Sequence, residues 1–215
     1  MKYIFMDLDG TITNPKIGIT KSIQYSLASF GIKEDNLDNL TRHIGPPLID
    51  TFRAYYGFDE NKTKLAVMKF KERFEDIGWC ENEVYEGMED MLKAFQLAGK
   101  TLIVATSKPE YMAKKILDHF NLSQYFTDIC GSERDGSRSK KHEVIQYAID
   151  KNAIKNKEDI IMVGDRSYDI LGAKRVGIQS IGVLYGFGCL TEFEDANADF
   201  IVQTVSELHD VVLSL

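Results

Sequence analysis

Tyr3-Ile4-Phe5-Met6-Asp7-Leu8-Asp9-Gly10-Thr11 decides how the rest of the chain is read. Four apolar residues with no polar alternation suit a strand covered on both faces, as in a parallel sheet. Residues i and i+2 of an extended chain point to the same side, so the carboxylates of Asp7 and Asp9 leave the strand end together. Gly10 then permits a sharp turn and Thr11 supplies a hydroxyl. Asp-Gly is also the favoured dipeptide of a β-hairpin turn. A hairpin needs a partner strand at once, however, and Pro15 interrupts the segment Thr11-Ile12-Thr13-Asn14-Pro15 that would provide it.

Working outward, similar runs recur at Thr101–Ala105, Asp159–Val163 and Ile178–Val183, with weaker ones at Thr127–Cys130 and Asp199–Val202. Helical stripes lie between them. Met88, Met91, Leu92 and Phe95 form one, closed by Gly99; Met112, Ile116 and Phe120 form another, with Pro109 in its first turn. Val144, Ile145, Ala148 and Ile149 form a third, and Val205, Leu208, Val212 and Leu215 a fourth. Strand-helix alternation of this kind predicts an α/β fold with a doubly wound parallel sheet. Residues 15–83 break the rhythm. Ile23, Leu27 and Phe30 mark one helix, Val67, Phe70, Phe74 and Ile77 another, and Arg42-His43-Ile44-Gly45-Pro46-Pro47 reads as a loop before a further helix. The excursion is long for an ordinary crossover. It predicts an inserted all-helical subdomain, with residues 1–14 and 84–215 forming the core domain.

Of the 215 residues 44% are hydrophobic and 27% charged, enough to bury one large α/β core with an insertion. A net charge of −7 argues against a nucleic-acid surface, which needs clustered Lys and Arg. Cys80, Cys130 and Cys189 are widely spaced and form no CxxC pair, so neither a disulfide framework nor a zinc knuckle is supported. The apolar run at the N-terminus is far too short for a signal-peptide core, and no run reaches transmembrane length. A cytoplasmic protein with no membrane partner is expected.

A second acidic strand end follows Ile160-Ile161-Met162-Val163, in Gly164-Asp165-Arg166-Ser167-Tyr168-Asp169. A helix starting near Arg166 would bring Asp165 and Asp169 to one face; N-capping by Asp165 is the plain alternative. Four acids converging on one crevice repel each other unless a cation sits among them. Oxygen-only ligands of this kind suit Mg²⁺. Thr106 and Ser107 end another apolar run just ahead of a predicted helix, whose free N–H groups make an anion site. Ser107 could equally be an N-cap; Thr106 is the stronger phosphate ligand. Lys140 and Lys141 stand at the start of the Val144 helix, where a cation opposes the helix dipole unless it has an anion to neutralise. In open α/β sheets ligands bind outside the carboxyl ends of the strands, and all these residues occupy such positions.

These segments resemble the four motifs of the haloacid dehalogenase superfamily: Asp7-Leu8-Asp9-Gly10-Thr11, Thr106, a lysine at a helix start, and Gly164-Asp165-Arg166-Ser167-Tyr168-Asp169. The helical insert is similar to that superfamily's C1 cap, and the chain is most similar to the phosphoglycolate-phosphatase-like branch. The resemblance implies that Asp7 attacks phosphorus and carries the phosphoryl group, while Asp9 protonates the leaving oxygen and then deprotonates water. It implies Mg²⁺ held by Asp7, the Asp9 carbonyl and Asp165, supported by Asp169. Gly10, Thr11, Thr106, Ser107 and the lysine would bind the phosphoryl group. Many relatives carry Lys-Pro at the third motif, whereas here the sequence is Ser139-Lys140-Lys141-His142-Glu143. Counting back from Val144 and Ile145 favours Lys141 over Lys140.

The substrate implied is a small phosphorylated metabolite: phosphoglycolate, a nucleoside monophosphate or a sugar phosphate. Two other functions compete. A sugar-phosphate mutase of the same fold would return the phosphoryl group to the sugar. A non-enzymatic phospho-aspartate signalling module would lack Asp9 and the cap. The insert is expected to choose the substrate, with Arg42 and His43 as candidates to reach it; Tyr55, Tyr56 and Trp79 are read as cap core. The oligomeric state is left between monomer and weak dimer.

Overall fold

The structure, a computed structural model, describes residues 1–215. Six strands form one parallel sheet: β1 (Tyr3–Met6), β4 (Thr101–Pro109), β5 (Asp128–Ser132), β6 (Ile160–Gly164), β7 (Gln179–Val183) and β8 (Phe200–Val202). Their order is β5-β4-β1-β6-β7-β8, which places β1 between β4 and β6. The chain therefore winds outward from β1 in both directions, and the reversal falls at the carboxyl ends of these central strands. Two short strands, β2 (Thr13–Asn14) and β3 (Glu83–Val84), form a separate two-stranded sheet.

Continuous apolar runs become central strands because both their faces are covered. On one face Phe5, Ile103, Ala105 and Met162 join Val144, Ile145 and Ala148 of α6 (Lys141–Lys151) and Ala173 of α7 (Ser167–Val176) in one buried cluster. The alternate residues Ile4, Met6, Leu102, Val104, Ile161 and Val163 face the other way and are equally buried. Helices α4 (Met88–Leu97), α5 (Glu110–His119), α8 (Leu190–Ala196) and α9 (Val205–Ser214) complete the α/β unit.

The chain folds as two compact units, residues 1–14 with 84–215, and residues 15–83. The second unit is helical: α1 (Lys16–Ala28), a 3-10 helix (Leu37–His43), α2 (Leu48–Tyr56) and α3 (Glu60–Arg73), which runs on into a π-helical turn (Phe74–Gly78). Ile23, Leu27, Phe52, Ala66, Phe70 and Phe74 fill its interior. No helix of the chain is long and apolar enough to cross a membrane.

Several sequence expectations need correction. Strand β4 runs four residues past its apolar stretch, through Thr106–Pro109, so Pro109 flanks α5 rather than lying in its first turn, and Thr106 and Ser107 are not at a helix start. Phe120 falls just outside α5. Arg42 and His43 belong to a 3-10 helix, not a loop. Tyr55 is 53% exposed and so is not core. Helix α8 carries too short a stripe to be seen in the sequence.

Candidate active site

Asp7 directly follows β1, and its backbone N–H donates to the Val163 carbonyl of β6 at 2.9 Å. Beyond it the chain closes a tight loop: the N–H groups of Ile12 and Thr13 converge on the Leu8 carbonyl at 2.9 and 3.0 Å, and the Gly10 N–H reaches the Thr13 carbonyl at 2.7 Å. No hairpin forms; Asp9 and Thr13 make only an isolated parallel bridge. Beyond this loop the two carboxylates take different partners. Asp7 Oδ1 accepts the Leu8 N–H at 2.7 Å, and Oδ2 lies 2.9 Å from Lys141 Nζ. Asp9 is ion-paired instead with Lys108.

Lys141 is the first residue of α6 and is buried. Its ammonium lies 2.9 Å from Asp7, 2.8 Å from Asp169 Oδ1 and 3.0 Å from the Ala105 carbonyl of β4. Burial alone would weaken its charge, but Asp169 and Asp7 outweigh that and push its pKa up to about 12. Lys140 is exposed in the flanking position, its N–H donating to Glu143 Oε2 at 3.3 Å.

Asp165 and Asp169 follow β6. Helix α7 begins at Ser167, and the carboxylate that reaches back to its start is Asp169, whose Oδ2 accepts the Arg166 N–H at 3.1 Å. Asp165 is therefore not the N-cap; its Oδ2 accepts the Phe187 N–H at 2.9 Å, from the loop after β7. One carboxylate oxygen from each of Asp7, Asp165 and Asp169 lies within 4.8 Å of the others, and all three residues are buried.

Three buried acids around one buried lysine leave a net negative charge in the site. Burial first, then Asp169 and Asp7, push the Asp165 carboxyl well above its ordinary range. Burial likewise raises Asp169 to about 6, with Lys141 opposing and Asp7 adding to the shift. Asp165 Oδ1, Asp9 Oδ1 and Thr11 Oγ1 are buried without a hydrogen-bond partner, a costly state for polar oxygens unless another group satisfies them. An all-oxygen donor set with excess negative charge and unsatisfied lone pairs fits a hard divalent cation such as Mg²⁺.

The remaining sequence candidates fall as follows. Gly10 abuts Asp165: a β-carbon there would lie 2.0 Å from its Oδ2. Thr11 is buried, with its carbonyl accepting the Tyr185 hydroxyl at 3.0 Å. Thr106 is buried and Ser107 half-buried at the end of β4, beside the Asp7 strand. Arg42 lies in the helical unit, exposed, its guanidinium 4.8 Å from the centre of the Tyr55 ring.

Two contributions escaped the sequence reading. Lys108 stands two residues beyond Thr106, and its N–H donates to the Thr106 hydroxyl oxygen at 3.2 Å. Tyr185-Gly186-Phe187-Gly188 supplies the N–H for Asp165, and a β-carbon on Gly186 would sit 2.3 Å from Asp165 Cβ. A glycine pair directly after an apolar strand was its available signal.

The family model described as haloacid dehalogenase-like hydrolase matches residues 4–183. A 5'-nucleotidase of Pseudomonas aeruginosa is 46% identical over 86% of this chain and 83% of its own length. The tyrosine-protein kinase PtkA of Mycobacterium tuberculosis is 34% identical over 97% of this chain and 72% of its own. The crystal structure of a predicted phosphatase from Clostridium acetobutylicum superposes with a TM-score of 0.96 at 45% identity, covering 100% of this chain and 99% of that one. With a family match that takes in all of the site's strand ends from β1 to β7, the chain belongs to the haloacid dehalogenase-like hydrolase family.

Proposed function

We propose that this chain is a Mg²⁺-dependent phosphatase that hydrolyses small phosphomonoesters by way of a phosphoryl group carried on Asp7. The observation that carries the reading is the buried Asp7 carboxylate, oriented by the Leu8 N–H and charge-matched by Lys141, beside the Asp165–Asp169 pair.

In the first half-reaction an Asp7 oxygen attacks phosphorus, a P–O bond to Asp7 forms, and the bond to the leaving alcohol breaks. The alcohol oxygen takes a proton from Asp9. In the second half-reaction Asp9 removes a proton from water, the water oxygen bonds to phosphorus, and Asp7 is released with inorganic phosphate. Lys141, 2.9 Å from Asp7 Oδ2, offsets charge that builds on the transferring group. Thr106 and Thr11 offer hydroxyls to the phosphoryl oxygens. Mg²⁺ held by Asp7, Asp165 and the Asp9 carbonyl, with Asp169 behind them, would supply charge neutralisation and orientation of the phosphoryl group.

Residues 15–83 form a cap that selects the leaving group, and Arg42 is the residue assigned to contact it. The name of the 5'-nucleotidase relative directs the substrate search towards nucleoside 5'-monophosphates, and the sequence resemblance adds phosphoglycolate and sugar phosphates. Release of inorganic phosphate from such a panel, with Mg²⁺ and with a chelator, tests the reading. At least one ester is hydrolysed only with metal present. Sugar phosphate isomerised without release of phosphate would turn the assignment to a mutase.

A further inference from the structure

The site contains a second, partly buried ion pair that the phosphate chemistry does not account for. Lys108 and Asp9 pair with side chains only 7% and 15% exposed. One Asp9 oxygen is taken up by that pair, and the other, Oδ1, is buried without a hydrogen-bond partner.

The Lys108 backbone is itself pinned. Its N–H donates to Thr106 Oγ1 at 3.2 Å, and the pairing of β4 with β5 shifts register between Ala105 and Pro109, an irregularity of the kind that re-aims side chains. Gly131 of β5 lies so close that a β-carbon on it would come within 2.5 Å of the Lys108 carbonyl oxygen. The ammonium is therefore delivered to Asp9 from a fixed strand end rather than from a flexible loop.

The site's charges fall into two sets. Lys141 serves Asp7 and Asp169, whereas Lys108 serves Asp9. Without Lys108, the Asp9 carboxylate would be free to turn towards the other positive charge of the crevice, Lys141 or a bound cation. We infer that Lys108 is a positioning residue: it holds Asp9 apart from the Asp7–Asp165–Asp169 cluster and leaves Oδ1 as the oxygen that exchanges the proton. The inference rests on the acid/base role proposed for Asp9.

A double-mutant cycle on the full-length protein with Mg²⁺, using the best ester of the panel, tests it. Lys108→Met lowers kcat by about 10- to 100-fold, as expected of a misplaced catalytic group, with KM changed less than about threefold. In an Asp9→Asn background the same substitution costs less than about threefold, because the group it positions is already gone. Lys108→Arg, which keeps the charge, recovers part of the loss. Should Lys108→Met lack a native circular dichroism spectrum, Lys108→Gln takes its place in the cycle. Equal losses in both backgrounds, a rise in KM in place of a fall in kcat, or no loss at all would overturn the positioning role. Wild-type turnover by Asp9→Asn alone would instead overturn the acid/base role beneath it, an outcome visible before Lys108 is altered.

Discussion

Gly10 turns at φ +79°, and a β-carbon built on it would meet all three atoms of the Asp165 carboxylate group within 2.8 Å. Two separate demands thus fall on one residue: a left-handed backbone and room for a buried acid. Alanine meets neither without strain. Gly10→Ala should keep the fold, shown by an unchanged far-ultraviolet circular dichroism spectrum, while displacing Asp165 and lowering kcat by about 100-fold or more. Of the site's single residues, Asp7, Asp165, Asp169 and Lys141 could be singled out in the sequence because each follows or precedes an apolar stripe that marks its element. That Asp7 and Asp9 pair with different lysines could not. It depends on the Leu8 carbonyl gathering the loop and on Lys108 arriving from β4, and neither leaves a periodic trace.

Among the elements, those with long apolar stripes were legible and those stabilised by backbone pairing or tertiary contact were not. Strand β4 continues through Thr106–Pro109 because Pro109 pairs with Ser132 of β5 across a register shift, which hydrophobicity cannot reveal. Helix α8 has seven residues and only two buried apolar ones, Phe193 and Ala196. The 3-10 helix Leu37–His43 was hidden for a different reason: it buries only Leu40 and a histidine, His43. His43 Nε2 lies 3.0 Å from the Tyr56 hydroxyl, its ring meets Tyr55 edge-on, and Nδ1 is buried without a partner. Burial, reinforced by the neighbouring Arg42 charge, lowers its pKa from 6.5 to about 4. The unfolded chain therefore binds a proton on His43 that the folded one refuses, and between about pH 6.5 and 4 stability falls as the pH falls. His43→Gln should remove that part of the slope. Urea unfolding at pH 7 and pH 5 should show wild type losing about 1–2 kcal/mol more than the variant.

At the scale of the whole chain, the strand-free stretch announced an insertion because a parallel sheet leaves so little room for one between neighbouring strands. The two compact units carry different chemistry. The α/β unit gathers carboxylates and lysines where the winding of the sheet reverses, and the helical unit is rich in aromatic contacts among Phe52, Tyr55, Tyr56, Phe58 and His43. A net charge of −7 would make phosphate binding unfavourable if it were spread evenly. Lys141 and Lys108 offset part of the negative charge locally, and a divalent cation would offset more of it.

All of this depends on Asp7 bearing the phosphoryl group. Acid quench of a single turnover on the intact protein, followed by mass spectrometry of the peptide spanning Asp7, reads that directly. The account predicts a transient phosphoryl adduct on Asp7 that forms and decays at rates matching alcohol and phosphate release, with neither adduct nor turnover in Asp7→Asn. Phosphate release at the wild-type rate from Asp7→Asn, with no adduct on the wild-type peptide, would contradict it.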